Sequence, residues 1–261
     1  MRPLALAALL LLAPGFGTAD DQRPSALREV GFDQKLGGAL PLDAVFRDEA
    51  GRSVRLGDYF GRRPVVLNLV YYDCPMLCTV SLNGLASALD VLSFVPGRDF
   101  ELVTISFDPR ETPALAAAKK KVYLSRYKRP EAEGGWHFLT GDRAATAAVT
   151  EAAGFRYAWD EETRQFAHPA GLLVATPEGR ISHYLFGIEY APKDLRLAIV
   201  DSGRGRIGNA LDRFLLYCYQ YNPHTGRYSA RILALVRLGG ALTVLALGGF
   251  IVTMWRREKT A

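Results

Sequence analysis

The stretch that most restricts the fold is residues 64–72, PVVLNLVYY, an uncharged run rich in β-branched and large apolar side chains with no polar alternation. A strand with one wet face alternates polar and apolar residues. A run like this one suits a strand buried on both faces, at the centre of a sheet covered by other layers. With 261 residues, 49% of them hydrophobic, the chain can bury a core of that kind.

The neighbouring patterns supply the covering layers. Residues 39–60, ALPLDAVFRDEAGRSVRLGDYF, alternate around a DEAGR turn and predict a hairpin leading into the body. After the buried run, Leu82, Leu85, Leu89 and Leu92 recur at three- and four-residue intervals, the stripe of an amphipathic helix. Pro75 suits the first turn of that helix, and Asp73 or Cys74 can cap it. A strand FELVTISF (100–107) and a DPRETP turn come next, then a helix from about Pro113 to Tyr127 capped by Thr112. WHFL (136–139) reads as a short strand, and Asp142 caps a helix that Gly154 ends. GLLVATPEGRISHYLFG reads as two strands joined by a Pro-Glu-Gly turn, with a last helix from about Pro192 to Asp201. Strand, helix, strand, helix, hairpin and helix is the order of an α/β, thioredoxin-like domain, a mixed central sheet flanked by helices.

Both ends of the sequence carry membrane-directed patterns. Residues 1–19 combine Arg2, a short apolar stretch and the small residues Gly17 and Ala19, which reads as a signal peptide. Leu238 to Trp255 is uncharged over a length that can cross hydrocarbon, and RREK follows, so a C-terminal transmembrane helix (231–255) with a cytoplasmic tail (256–261) is expected. Between these lie an N-terminal extension (20–38), the thioredoxin-like domain (39–201), and a linker and juxtamembrane stalk (202–230). The expected location is the inner membrane, single-pass, with the main domain on the periplasmic side. The net charge of +5 agrees with this topology. Arg2 and five basic residues beyond position 230, set against Glu258 alone, account for all of it, so the body is neutral and gives no footing for nucleic acid.

Three cysteines, Cys74, Cys78 and Cys218, are too few for a disulfide scaffold. Cys74 and Cys78 are one helical turn apart at a helix N-terminus, where orphan amides and the helix dipole favour thiolate. Two residues separate the sulfurs of a thioredoxin-type dithiol; three leave room for an ion, and spacing alone leaves metal and redox readings both open. Two thiolates and an imidazole suit copper(I), and can hold copper(II) where the geometry permits. His168, just before the strand that opens the last hairpin, is the histidine best placed to join them. His137, His183 and His224 read as structural or exposed.

The segments VVLNLVYYDCPMLC, VTISFDPRETP, WHFLTGD and FAHPAGLLVATPEGRISHYLFG together resemble the Sco/SenC family of copper-binding cytochrome oxidase assembly proteins, over about residues 39–200. The resemblance implies copper bound by Cys74, Cys78 and His168, with Asp108 supporting or structural. It also implies a copper chaperone that receives copper from a donor protein and helps to load the binuclear copper centre of cytochrome c oxidase subunit II, as copper donor, as thiol reductant of that subunit, or both, which leaves a thiol-disulfide oxidoreductase activity open. Two features depart from the family pattern: the membrane anchor is C-terminal, and Pro169 follows the histidine where a small residue is common.

The alternative reading is an exported thiol-disulfide reductase acting on an oxidase subunit or another extracytoplasmic protein, with Cys74 and Cys78 as its redox pair. A peroxide-reducing enzyme is a third class, but no Thr/Arg environment stands beside Cys74. Gly203, Gly205 and Gly208 spell GxGxxG outside any βαβ unit, so a nucleotide loop is excluded on context. Cys218, with His224 nearby in sequence, is a lone thiol in an aromatic stretch, and the basic run 119–129 reads as a solvated helix face.

Overall fold

The computed structural model describes residues 30–74, 77–208, 221–222, 227–228 and 230–258. The expected signal peptide, Pro75, Cys218 and His224 lie outside these residues. The chain divides into two units, one of them Arg23–Asn209, the other taking in the C-terminal segment from Ala210.

In the first unit the elements run β1 (Gly31–Phe32), β2 (Val45–Arg47), β3 (Ser53–Arg55), β4 (Val65–Val70), α1 (Leu77–Val91), β5 (Glu101–Ser106), α2 (Pro113–Tyr127), β6 (Trp136–Leu139), α3 (Arg143–Ala152), β7 (Phe155–Arg156), β8 (Ala158–Asp160), β9 (Gln165–Ala167), β10 (Gly171–Ala175), β11 (Ile181–Phe186) and α4 (Pro192–Gly203). The main sheet has the order β11-β10-β4-β5-β6. Every side chain of β4 is buried, as its unbroken apolar run requires, and β4 is the middle strand of the five. β4, β5 and β6 are parallel, each pair joined by a helix, whereas β10 runs antiparallel to β4 and β11 antiparallel to β10. The mixed central sheet read from the sequence is therefore present, and β2 and β3 form the expected leading hairpin.

The helix boundaries follow from their caps. The Thr112 hydroxyl accepts from the Leu115 N–H with Pro113 opening α2, and the helix closes on Lys128 in a left-handed conformation. The Asp142 carboxylate accepts from the Ala145 N–H at the start of α3. Leu82, Leu85 and Leu89 of α1 and Leu92 just past its end are all buried. Tyr123 and Tyr127 of α2 pack on Trp136 of β6, and Tyr123 also stacks on Phe138. That face of the sheet carries one polar misfit. Asn68, beside Thr104 on β5 and Leu172 on β10, is buried with neither amide atom hydrogen-bonded among the described residues.

Three features were not expected. Residues 31–38, taken as extension, belong to the body: β1 pairs with β7, and the Gly37 N–H and Gly38 carbonyl bond to Ile181. β8 and β9 form a separate hairpin just ahead of His168. The stretch 202–208, expected to begin a linker, folds back on β11. Ser202 is buried in α4, the Ser182 hydroxyl donates to the Arg206 carbonyl at 2.5 Å, and the Gly208 N–H donates to the Ser182 carbonyl at 3.0 Å.

In the C-terminal unit, β12 (Tyr221–Asn222) pairs with β13 (Arg227–Tyr228), and α5 spans Ala230–Glu258. The side chains described on α5, residues 238–250 with Met254 and Trp255, are exposed. Among the described residues, no helix is long and apolar enough to cross a membrane.

Candidate metal centre

The sheet register decides which loops meet. Val70 pairs with Ser106 in parallel and Asn68 with Leu172 in antiparallel, so the exits of β4 and β5 and the entry to β10 lie at one edge. Continued two residues past Val70, the β4–β10 register runs residues 71 and 72 alongside 169 and 168. The cysteine loop and the histidine loop thus leave the sheet together, although 94 positions separate Cys74 from His168.

Cys74 lies in the short segment between β4 and α1 and is buried, at 7% exposure. Cys78 lies in the first turn of α1, with its side chain outside the described residues. The segment before Cys74 is held by a single carboxylate. Glu111 Oε2 accepts from the Tyr72 N–H at 2.7 Å and Oε1 from the Asp73 N–H at 2.6 Å. The Ser106 hydroxyl donates to Oε2 at 2.5 Å. Burial raises the Glu111 carboxyl above its ordinary range, helped by the Asp108 charge and opposed by these three hydrogen bonds. Tyr72 is tied deeper still, its hydroxyl donating to the carbonyls of Thr104 and Leu139.

His168, between β9 and β10, is also 7% exposed. Its ring meets Tyr71 edge-on at 5.6 Å, Phe107 at 5.3 Å and Phe155 at 6.2 Å between centroids. Nδ1 lies 2.9 Å from the Pro169 carbonyl oxygen. A carbonyl can only accept, so this contact requires the proton on Nδ1 and leaves the ring lone pair on Nε2. The main-chain carbonyl of Pro169 thus assigns the tautomer.

The remaining expected residues divide cleanly. Asp108 is buried and accepts from the Arg110 backbone N–H and from its guanidinium, at 2.7 to 3.1 Å. His137 packs on Tyr59 and faces Glu101 near the start of β5, away from the cysteines along the strand. His183 bonds to the Ser182 hydroxyl at 2.7 Å. Among the described residues, no three His, Cys, Asp or Glu side chains are grouped to hold a metal, and the Cys78 side chain is not among them.

Glu111 and Arg110 are the residues that sequence reasoning missed. The signal was present in DPRETP, a turn with two more charges directly after a buried strand parallel to the cysteine strand, but only Asp108 was singled out of it. Trp159 and Phe166, on the unexpected β8–β9 hairpin, were missed for the same reason as the hairpin itself.

The SCO1/SenC family model matches residues 42–199. No curated protein matches the sequence. Among solved structures, a protein of Aquifex aeolicus VF5 described as an electron transfer protein superposes with a TM-score of 0.58 at 25% identity, covering 66% of this chain and 96% of that one. Arabidopsis thaliana ScoI with copper bound gives 0.51 at 22% identity, covering 65% and 98%. A SCO1/SenC family lipoprotein from Bacillus anthracis gives 0.51 at 18%, covering 65% and 96%. The last two attest the fold. With well over half of its length matched by the family model, the chain belongs to the SCO1/SenC family.

Proposed function

We propose that this protein is a membrane-tethered copper chaperone that holds one copper ion on Cys74, Cys78 and His168 outside the cytoplasm and delivers it to the binuclear centre of cytochrome c oxidase subunit II. The observation that carries the reading is the contact of His168 Nδ1 with the Pro169 carbonyl oxygen, which assigns the proton to Nδ1, on a loop that leaves the sheet beside the cysteine loop. A histidine whose other ring nitrogen is pinned to a carbonyl is the usual form of an imidazole ligand. Two sulfurs and one imidazole suit copper(I) and, by leaving the coordination low, suit a cargo that must be released. The copper-bound Arabidopsis relative supports the same cargo.

The chain's own contribution is pre-organisation. The N-terminus of α1 favours thiolate at Cys78 and beside Cys74, the aromatic wall of Tyr71, Phe107 and Phe155 restricts water around the ring, and Glu111 fixes the loop ahead of Cys74. Copper would arrive from a donor protein by ligand exchange. The tether rests on the uncharged stretch 238–255 and the basic residues after it, supported by the exposure of the large apolar side chains Leu242, Leu245 and Leu247.

The test is titration of the detergent-purified full chain with copper(I) against a competing chelator. One tightly held ion is expected, with Cys74→Ser and His168→Ala each weakening it about 10-fold or more. Unchanged affinity in either variant overturns the proposal.

A further inference from the structure

We propose that the turn after β5, Asp108 to Glu111, is a bracket that sets the cysteine arm and the histidine arm of the centre relative to each other. Glu111 grips one arm and Arg110 grips the other. This rests on the metal-centre reading, and it concerns residues outside the ligand set.

Glu111 is joined to the cysteine arm by backbone contacts alone. Its two carboxylate oxygens take the consecutive N–H groups of Tyr72 and Asp73 at 2.7 and 2.6 Å, directly ahead of Cys74. Two adjacent N–H groups received by one rigid carboxylate restrain the peptide plane between them, which no single hydrogen bond does. The Ser106 hydroxyl, at the end of β5, supplies a third bond that fixes the carboxylate itself. The cysteine loop is thereby referred to β5 as well as to its own strand.

Arg110, the next residue back, points toward the other arm. The Asp108 carboxylate, buried at 4% exposure, takes its guanidinium in a two-point contact, 2.8 Å from Nε to one oxygen and 2.7 Å from the terminal nitrogen to the other. Held this way, the guanidinium carbon lies 5.1 Å from the Trp159 ring centre and 5.3 Å from that of Phe166. Those two rings, paired across the β8–β9 hairpin, meet edge to face at 5.0 Å between centroids. Phe166 stands two residues before His168 and continues inward to Tyr71 at 5.7 Å and Phe107 at 5.6 Å. Asp108, Arg110, Trp159 and Phe166 therefore form a chain of contacts that reaches the proposed ligand His168 through Tyr71 and Phe107, each of which touches both Phe166 and His168.

An Arg-aromatic contact depends on the planar guanidinium, and a lysine at that position keeps the charge while losing the plane. The bracket therefore makes distinct demands on its two residues. Glu111 must be an acceptor on both oxygens, and Arg110 must be flat.

The first arm of the test uses the metal-free full chain and hydrogen exchange. Glu111→Gln presents an NH2 group to one of the two backbone donors, and should raise exchange at Tyr72 or Asp73 about 10-fold or more while leaving 159–168 unchanged. Arg110→Ala should do the reverse, loosening the 159–168 hairpin and sparing Tyr72 and Asp73, with Arg110→Lys restoring little of the protection. The second arm is a double-mutant cycle in copper(I) affinity. Arg110→Ala should weaken binding about 10-fold in the parent chain and by almost nothing in a His168→Ala background, because its effect runs through that ring. Thermal melts identify a variant that has lost its fold, in which case the milder Trp159→Leu, read by the same exchange and cycle, takes its place. Uniform exchange changes in both segments, or full additivity with His168→Ala, would overturn the bracket. A parent chain that binds no copper would overturn the proposed function instead, and the exchange arm would still decide the bracket.

Discussion

Gly84 of α1 and Ile188, in the segment after β11, approach so closely that a Cβ on Gly84 would overlap the Ile188 carbonyl oxygen. The helix that begins at the cysteines is thus seated against main chain, not against a side chain that could swing away. Nearby, Ser81 and Tyr190 share a buried hydrogen bond of 2.9 Å that fastens the same contact.

Gly84→Ala is therefore expected to destabilise the protein. Alanine gains about 1 kcal/mol in helix propensity, but forcing apart two backbones costs about 1–3 kcal/mol, and the shift is transmitted to the cysteine turn. Denaturant unfolding should show a lower midpoint in Gly84→Ala, and an equal or higher midpoint would show that the segment yields freely.

Asn68→Leu is expected to stabilise. Both amide atoms of Asn68 are buried without a hydrogen-bond partner among the described residues, and such a group costs about 1–3 kcal/mol that an apolar side chain of similar size does not. The melting temperature should rise by a few degrees. A fall would mean that the amide is satisfied in solution, for example by a buried water.

Stability should carry an acid-side signature from Glu111. Burial raises its folded pKa above the ordinary 4.5, so between the two values the native state holds the proton more firmly than the unfolded chain does. The stabilisation is complete below about 4.5 and is lost as the pH climbs through the folded value. Asp48, hydrogen-bonded to Ala50 and Arg52 and shifted down, acts in the opposite sense at lower pH. Urea midpoints of the parent chain minus those of Glu111→Gln should decline as pH rises from about 4.5, and a flat difference would remove the effect.

If α5 is the anchor, deleting Ala210–Ala261 should move the protein from the detergent-extracted membrane fraction to the soluble exported fraction, with copper(I) affinity within about 3-fold of the parent chain. Retention of the shortened chain on membranes would place the tether elsewhere.

Disulfide turnover in the absence of copper would instead favour the reductase reading. Copper-free reduction of a model disulfide should be slow in the parent chain; rapid turnover that survives His168→Ala and vanishes in Cys74→Ser or Cys78→Ser would speak for catalysis by the dithiol.

The main sheet was legible because its signals are local. The buried run of β4, the Thr112 and Asp142 caps and the Pro-Glu-Gly turn each sit within a few residues of the structure they dictate. What escaped depends on distant pairing. β1 and β7 are two residues each and become strands only through one another, 123 positions apart at the pair Phe32 and Phe155. The reach of Glu111 to Tyr72 and Asp73 exists only because the parallel register aligns Val70 with Ser106. The placement of His168 could be anticipated from the strand that follows it, whereas the rings that hold it, Tyr71, Phe107 and Phe155, come from three separate segments of the chain.

The antiparallel ladder between β4 and β10 is built from main-chain amides, which are the same whatever side chains they carry. Interior residues can therefore drift from one aliphatic type to another while the spacing between the two loops stays put. A likeness in fold to the Arabidopsis protein at 22% identity is what such a ladder permits: the ruler between the two loops is written in peptide bonds, and divergence has little purchase on it.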